Sequence, residues 1–135
     1  MSLTIKCILT SIKSLWKEIE DTGWQTASLS GDFKAYSSAY APEYRKVGKL
    51  VEIRGEVSPT KTLDGGSTTS TIFTLPEGYR PAMRKEVVCQ GSNLNKWLLT
   101  ITTDGNVNFS RYGTSEATDV TTSTWLPFST MFYID

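Results

Sequence analysis

Histidine is absent from the 135 residues. Its absence excludes Ser-His-Asp and Cys-His nucleophile activation and the usual zinc ligand sets, all of which take an imidazole as base or donor. Cysteine is nearly absent. Cys7 and Cys89 are too far apart for a CxxC redox motif or a metal spacing, and Cys89, beside Val87 and Val88, reads as a small buried hydrophobe. A charge of one sign is missing too: 14 basic and 14 acidic side chains leave a net charge of zero, with no basic run. Binders of nucleic acid or anionic membranes need such a field, so neither partner is expected. No apolar window approaches a membrane span, and no secretion leader is evident, because Lys6 and Lys13 interrupt the apolar residues at the start. Gly65-Gly66 lack the lysine and helix of a phosphate loop. No cofactor and no metal site is expected, and no internal repeat is visible.

Hydrophobic residues make up 39% and charged residues 21%, the composition of a globular chain long enough for one core. The front differs in kind from the rest. Ile5, Ile8, Ile12, Leu15 and Ile19 recur at alternating steps of three and four, and Met1 extends the row by one heptad. The pattern is an a/d seam with isoleucine at each a position and isoleucine or leucine at d, which favours three strands over two. Lys6, Lys13, Lys17, Glu18 and Glu20 fall off the seam, while Leu9 and Trp16 widen it. The same stripe would serve a single helix docked on its own domain; the isoleucines favour the seam. Thr22-Gly23 reads as the helix end. The chain thus divides into a coiled-coil helix over 1–22 and a β-sandwich head over 23–135.

From Trp24 onward the period is two. Val51, Ile53 and Val57 point one way and Glu52, Arg54 and Glu56 the other. Thr71-Phe73-Leu75, Trp97-Leu99-Ile101 and Phe128-Thr130-Phe132-Ile134 alternate likewise. Thr102 to Asn106 reads as a hairpin turned at Asp104-Gly105, with Val107, Phe109 and Arg111 on the return strand. Many short strands joined by Thr, Ser and Gly predict a mainly β, antiparallel jelly-roll or Greek-key sandwich or barrel.

Catalysis finds little support. Glycosidases need two carboxylates about 5 to 10 Å apart. Glu52 and Glu56 lie about 13 Å apart on one strand, with Arg54 between them to keep both ionised. A cross-strand pair of Asp104 with Asp119 is the remaining option. Sugar binding needs less: an aromatic face and polar groups for hydroxyls. Arg111-Tyr112 and the loop from Gly113 to Trp125, with Glu116 and Asp119, supply such a set. Tyr36, Tyr40 and Tyr44 also stand outside the clear core rows.

Three stretches carry a resemblance: a tryptophan-led first strand at Gly23-Trp24, the strand from Gly48 through Leu50-Val51-Glu52-Ile53-Arg54-Gly55 to Val57, and Leu75-Pro76-Glu77-Gly78-Tyr79-Arg80-Pro81. Together with Asp104-Gly105-Asn106-Val107 they resemble the C-terminal region of tail and baseplate proteins of phages and prophages of Gram-positive bacteria. The resemblance implies a trimeric head on a helical shoulder in the virion tail. It implies a receptor-binding protein that attaches to host cell-wall polysaccharide or teichoic acid, beside other tail and baseplate proteins. It supplies no binding residue. The expected function is therefore adhesion without catalysis by a homotrimer. A structural connector is the second reading and a polysaccharide depolymerase the third.

Overall fold

The computed structural model describes residues 3–135, so the extension of the seam to Met1 lies outside the described residues. One helix, α1 (Leu3–Glu18), precedes nine strands. These are β1 (Gln25–Thr26), β2 (Phe33–Ala35), β3 (Glu43–Val47), β4 (Leu50–Pro59), β5 (Ser70–Thr74), β6 (Lys85–Gln90), β7 (Lys96–Ile101), β8 (Asn106–Gly113) and β9 (Leu126–Tyr133). All pairings are antiparallel. In the first sheet β4 is the axis. One of its edges takes β3 over Leu50 to Arg54 and then β2 over Val57 to Pro59, while the other takes β9 along its length. The second sheet has the order β5-β8-β7-β6. Three hairpin-linked strands lie side by side and β5 sits beside β8, a Greek-key arrangement.

The expected rows meet between the sheets. Val51, Ile53, Val57, Trp97, Leu99, Ile101, Val107 and Phe109 are buried. Aromatic rings tie one sheet to the other: Trp97 meets Phe128 edge-on at 6.4 Å, and Phe109 meets Phe33 at 6.1 Å. The Trp97 indole N–H, which burial would otherwise leave unpaired, donates to the Gln90 carbonyl at 3.0 Å. Cys89 is buried as expected, and burial pushes its thiol up to about 11.

Four local readings are corrected. The helix ends at Glu18, short of Thr22-Gly23. Residues 20–22 bond instead to the β3–β4 hairpin: Gly48 N–H donates to Glu20 O at 3.0 Å and Thr22 N–H to Lys46 O at 2.9 Å. Arg45 pairs with Asp21. Trp24 precedes β1 instead of leading it, and its ring lies under the Arg54 guanidinium at 3.8 Å. Ile72 is buried beside Phe73, against strict alternation, because a register shift between Thr71 and Phe73 adds a residue to β5. The hairpin turns at Thr103-Asp104, with Gly105 N–H donating to Thr102 O at 2.9 Å and Gly105 taking φ +89°. This is the three-residue loop whose last position favours glycine.

The described side chains of α1 from Thr4 to Trp16 are all exposed, Leu15 by 61%. A helix docked on its own sheets would bury one face, so that alternative fails here. Phe109 touches rings from both sheets, which leads to a direct expectation. Phe109→Ala lowers unfolding free energy by about 3–5 kcal/mol, measured by denaturant titration with an unchanged slope.

Candidate functional site

The site grows from an irregularity in β8. Ser110 pairs with Leu98 and Gly113 with Lys96, so Arg111 and Tyr112 together oppose Trp97 alone. A bulge of this kind re-aims side chains. Arg111 takes φ +56°, a left-handed conformation that costs a non-glycine residue about 1–2 kcal/mol. Its side chain turns to solvent, and Tyr112 is buried in its place, 3% exposed, with its ring 6.4 Å from Phe109. The expected alternation of Val107, Phe109 and Arg111 on one face therefore stops at Phe109.

The freed backbone groups of the bulge find partners in the Gly65-Gly66 loop. Arg111 N–H donates to Gly66 O at 2.8 Å and Tyr112 N–H to Gly65 O at 2.7 Å. Asp64 holds that loop by accepting from Gly66 N–H at 2.8 Å and Thr68 Oγ1 at 3.2 Å. On the far side, Thr118 N–H donates to Tyr112 O at 2.9 Å. Gly65 is pressed so closely between these segments that a Cβ would lie 1.7 Å from Thr118 O. Only glycine fits there. The three segments enclose an open cleft of about 390 Å³ whose polar wall includes Lys96, Arg111 and Glu116. The Arg111 guanidinium has no hydrogen bond or ion pair with the described residues.

The cleft stands at the end of the sandwich away from the segment that follows α1. At the near end, Leu75 N–H donates to Gly105 O at 2.8 Å, and Lys46, bonded to Thr22 beside the helix, reaches Gly78 O at 2.8 Å. Tyr79 packs there edge-on against Tyr44 at 5.1 Å. From Asn106 to Tyr112, β8 then runs about 20 Å to the cleft. Asp104 lies at the near end and Asp119, next to Thr118, at the far end. They are too distant to act as a carboxylate pair.

Of the sequence-predicted set, Arg111, Tyr112 and Glu116 line the cleft. Tyr112 does so from within the core and presents no open ring face. Asp119 is exposed outside the lining, and Trp125 is half-buried, its N–H bonded to Ser92 Oγ at 2.9 Å. Gly65, Gly66 and Lys96 were not among the expected site residues. The Asp-Gly-Gly run marked the loop, and nothing local marked what it would meet. Arg54, expected to keep Glu52 and Glu56 both ionised, pairs instead with Glu43 of β3 at 2.7 Å. Glu56 is left with its carboxyl raised above the usual range by burial.

No family model matches the sequence, and no curated protein matches it. Among the solved structures that share its fold are two phage proteins. The receptor-binding protein of Listeria phage PSA is 18% identical at a TM-score of 0.59, the match covering 96% of this chain and 75% of that one. The head domain of lactococcal phage bIL170 is 13% identical at a TM-score of 0.58, covering 82% of this chain and 96% of that one. At these identities the likeness is one of fold.

The left-handed Arg111 separates backbone strain from side-chain role. Arg111→Gly is expected to equal or exceed the parent in stability. Arg111→Val, β-branched at a positive φ, falls below the glycine variant by roughly 1–2 kcal/mol. Thermal unfolding of the two variants side by side checks the order.

Proposed function

We propose that this chain is the receptor-binding head of a phage tail, and that the cleft at Gly65-Gly66, Arg111 and Glu116 takes a host cell-wall polysaccharide or teichoic acid. The observation that carries the reading is the position of the cleft: it opens at the end of the sandwich opposite the segment that follows the helix, where an attached particle would present it outward. The shared fold with two phage head structures supports the same role. So does the chemistry of the wall. An unpaired guanidinium offers five donors to hydroxyl, carboxylate or phosphate oxygens, Glu116 accepts from hydroxyls, and Lys96 adds a cation.

Oligomerisation completes the proposal. Three chains associate through Ile5, Ile8, Ile12, Leu15 and Ile19 as a parallel coiled coil carrying three jelly-roll heads. Exposure of that stripe along α1 supports this, since an isolated helix of this length leaves much apolar surface in water. Leu9 and Trp16 flank the seam and broaden the contact. Weak single sites then gain about two to four orders of magnitude in avidity when three heads engage a repeating polymer. The trimer sits in the virion tail beside other tail and baseplate proteins. Binding without hydrolysis fits the cleft wall: a glycosidase sets two carboxylates across the bond it breaks, and the described lining carries Glu116 as its one acid.

Two variants test the two halves. Light scattering of the parent chain gives the mass of three chains. Ile12→Asp, which sets three charges against one another on the axis, gives the mass of one while the β circular dichroism is kept. Labelled parent trimer adsorbs to cells of a susceptible strain, and Arg111→Ala lowers that adsorption at least tenfold. Parent mass for Ile12→Asp, or full adsorption by Arg111→Ala, contradicts the corresponding half. Failure to adsorb, with tail proteins bound in its place, favours a structural connector.

A further inference from the structure

Arg111 borders a second depression, of about 510 Å³, on the outer face of the β5-β8-β7-β6 sheet. Its floor is made by Thr100, Asn108 and Ser110, which point away from the core because they alternate with Leu99, Ile101, Val107 and Phe109. Thr100 stands opposite Asn108 on one rung, and Ser110 stands opposite Leu98 on the next. Outward side chains of a sheet are ordinarily long and solvated. These are short and only 5%, 9% and 6% exposed.

Their hydrogen bonding is incomplete. Asn108 Oδ1 accepts from Thr71 Oγ1 at 2.8 Å. The Asn108 amide N–H groups and the hydroxyls of Thr100 and Ser110 have no partner among the described residues. None of these atoms is sealed from the surface, so the free groups open onto the groove. Polar groups so deeply set ordinarily have a protein or ordered-water partner; here it comes from outside the chain. Charge is kept to the rim, where Arg84 pairs with Glu86 at 2.8 Å and Arg111 stands unpaired.

We propose that this groove continues the distal cleft and that the two form one track, binding the host glycan as an extended chain of several sugar units. The inference rests on the cleft being the glycan site. From Gly113 to Asn108 the track follows β8 for about 17 Å, more than a single sugar ring fills. Hydroxyl and amide groups that both donate and accept match the hydroxyls of a polysaccharide along that length. Arg111, raised on its bulge, lies at the junction and contacts the chain from both sides.

The experiment uses the full chain and the wall polysaccharide of a strain to which it adsorbs, cut by mild acid and fractionated by length. Calorimetry is expected to show affinity rising at least tenfold from single units to fragments that span the track. The double variant Thr100→Val/Ser110→Ala loses about tenfold on the long fragments, the effect of two missing hydrogen bonds. It binds single units as the parent does, with an unchanged thermal midpoint. Independently, the amide resonances of Thr100 and Ser110 in the parent shift with long fragments and not with single units. Parent-like binding of long fragments by the double variant, with those resonances unmoved, overturns the groove. The cleft still stands if Arg111→Ala loses the single units. Retention of single units by Arg111→Ala removes the cleft and the track with it, as does failure of the parent to bind any fragment.

Discussion

Two residues of β8 stand opposite one residue of β7, and the distal end of the molecule depends on that mismatch. The buried row Val107-Phe109 would continue to Arg111 if the strand stayed regular. A guanidinium would then enter a core of aromatic rings, at a desolvation cost far beyond the strain of one left-handed residue. The bulge admits Tyr112 to the core and turns Arg111 outward. Its backbone groups need partners, and the carbonyls of Gly65 and Gly66 supply them. Those bonds draw the Asp64–Thr68 loop against the strand, and the loop becomes one wall of the cleft. Core packing, backbone satisfaction and the shape of the site are thus one arrangement.

The opposite end shows a different economy. The helix contributes no described buried side chain to the sandwich, yet it is not on a loose tether. Glu20, Asp21 and Thr22 bond along the β3–β4 hairpin, and Arg45 holds Asp21. The Arg45 guanidinium, with the Gly23 N–H, keeps the Asp21 carboxyl below its usual range, so the pair persists across ordinary pH and is lost only as pH falls through that lowered value. Trp24 under Arg54 extends the same seam. The segment that follows the helix is thus pinned to the head, which suits the proposed display of three clefts at once.

The sequence made the buried rows legible because period-two alternation assigns a whole strand from a few apolar positions. Val51-Ile53-Val57 and Trp97-Leu99-Ile101 fall where that rule puts them. The rule fails where one extra residue enters a strand, at Ile72 and at Arg111-Tyr112, since a bulge is set by the partner strand and leaves no local mark. The helix ends before Thr22-Gly23 for a related reason: that pair has the composition of a stop, but the stabilising partners of residues 20–22 lie on a hairpin far along the chain. At the cleft, Arg111 and Glu116 were legible as exposed polar groups near an aromatic. The role of Gly65 was not, because it depends on Thr118 approaching from another segment. The groove had a faint signal in the run of Thr, Asn and Ser opposite the core rows of β7 and β8, where longer side chains are the rule.

Host surface glycan is proposed to bind at the end of the sandwich where Arg111 and the Gly65-Gly66 loop meet. A crystal structure of the intact chain with a fragment of wall polysaccharide from a susceptible strain tests it most directly. The account predicts sugar density against Arg111 and Glu116, over the Gly65-Gly66 backbone. Ordered sugar elsewhere on the head, with that cleft empty, would contradict it.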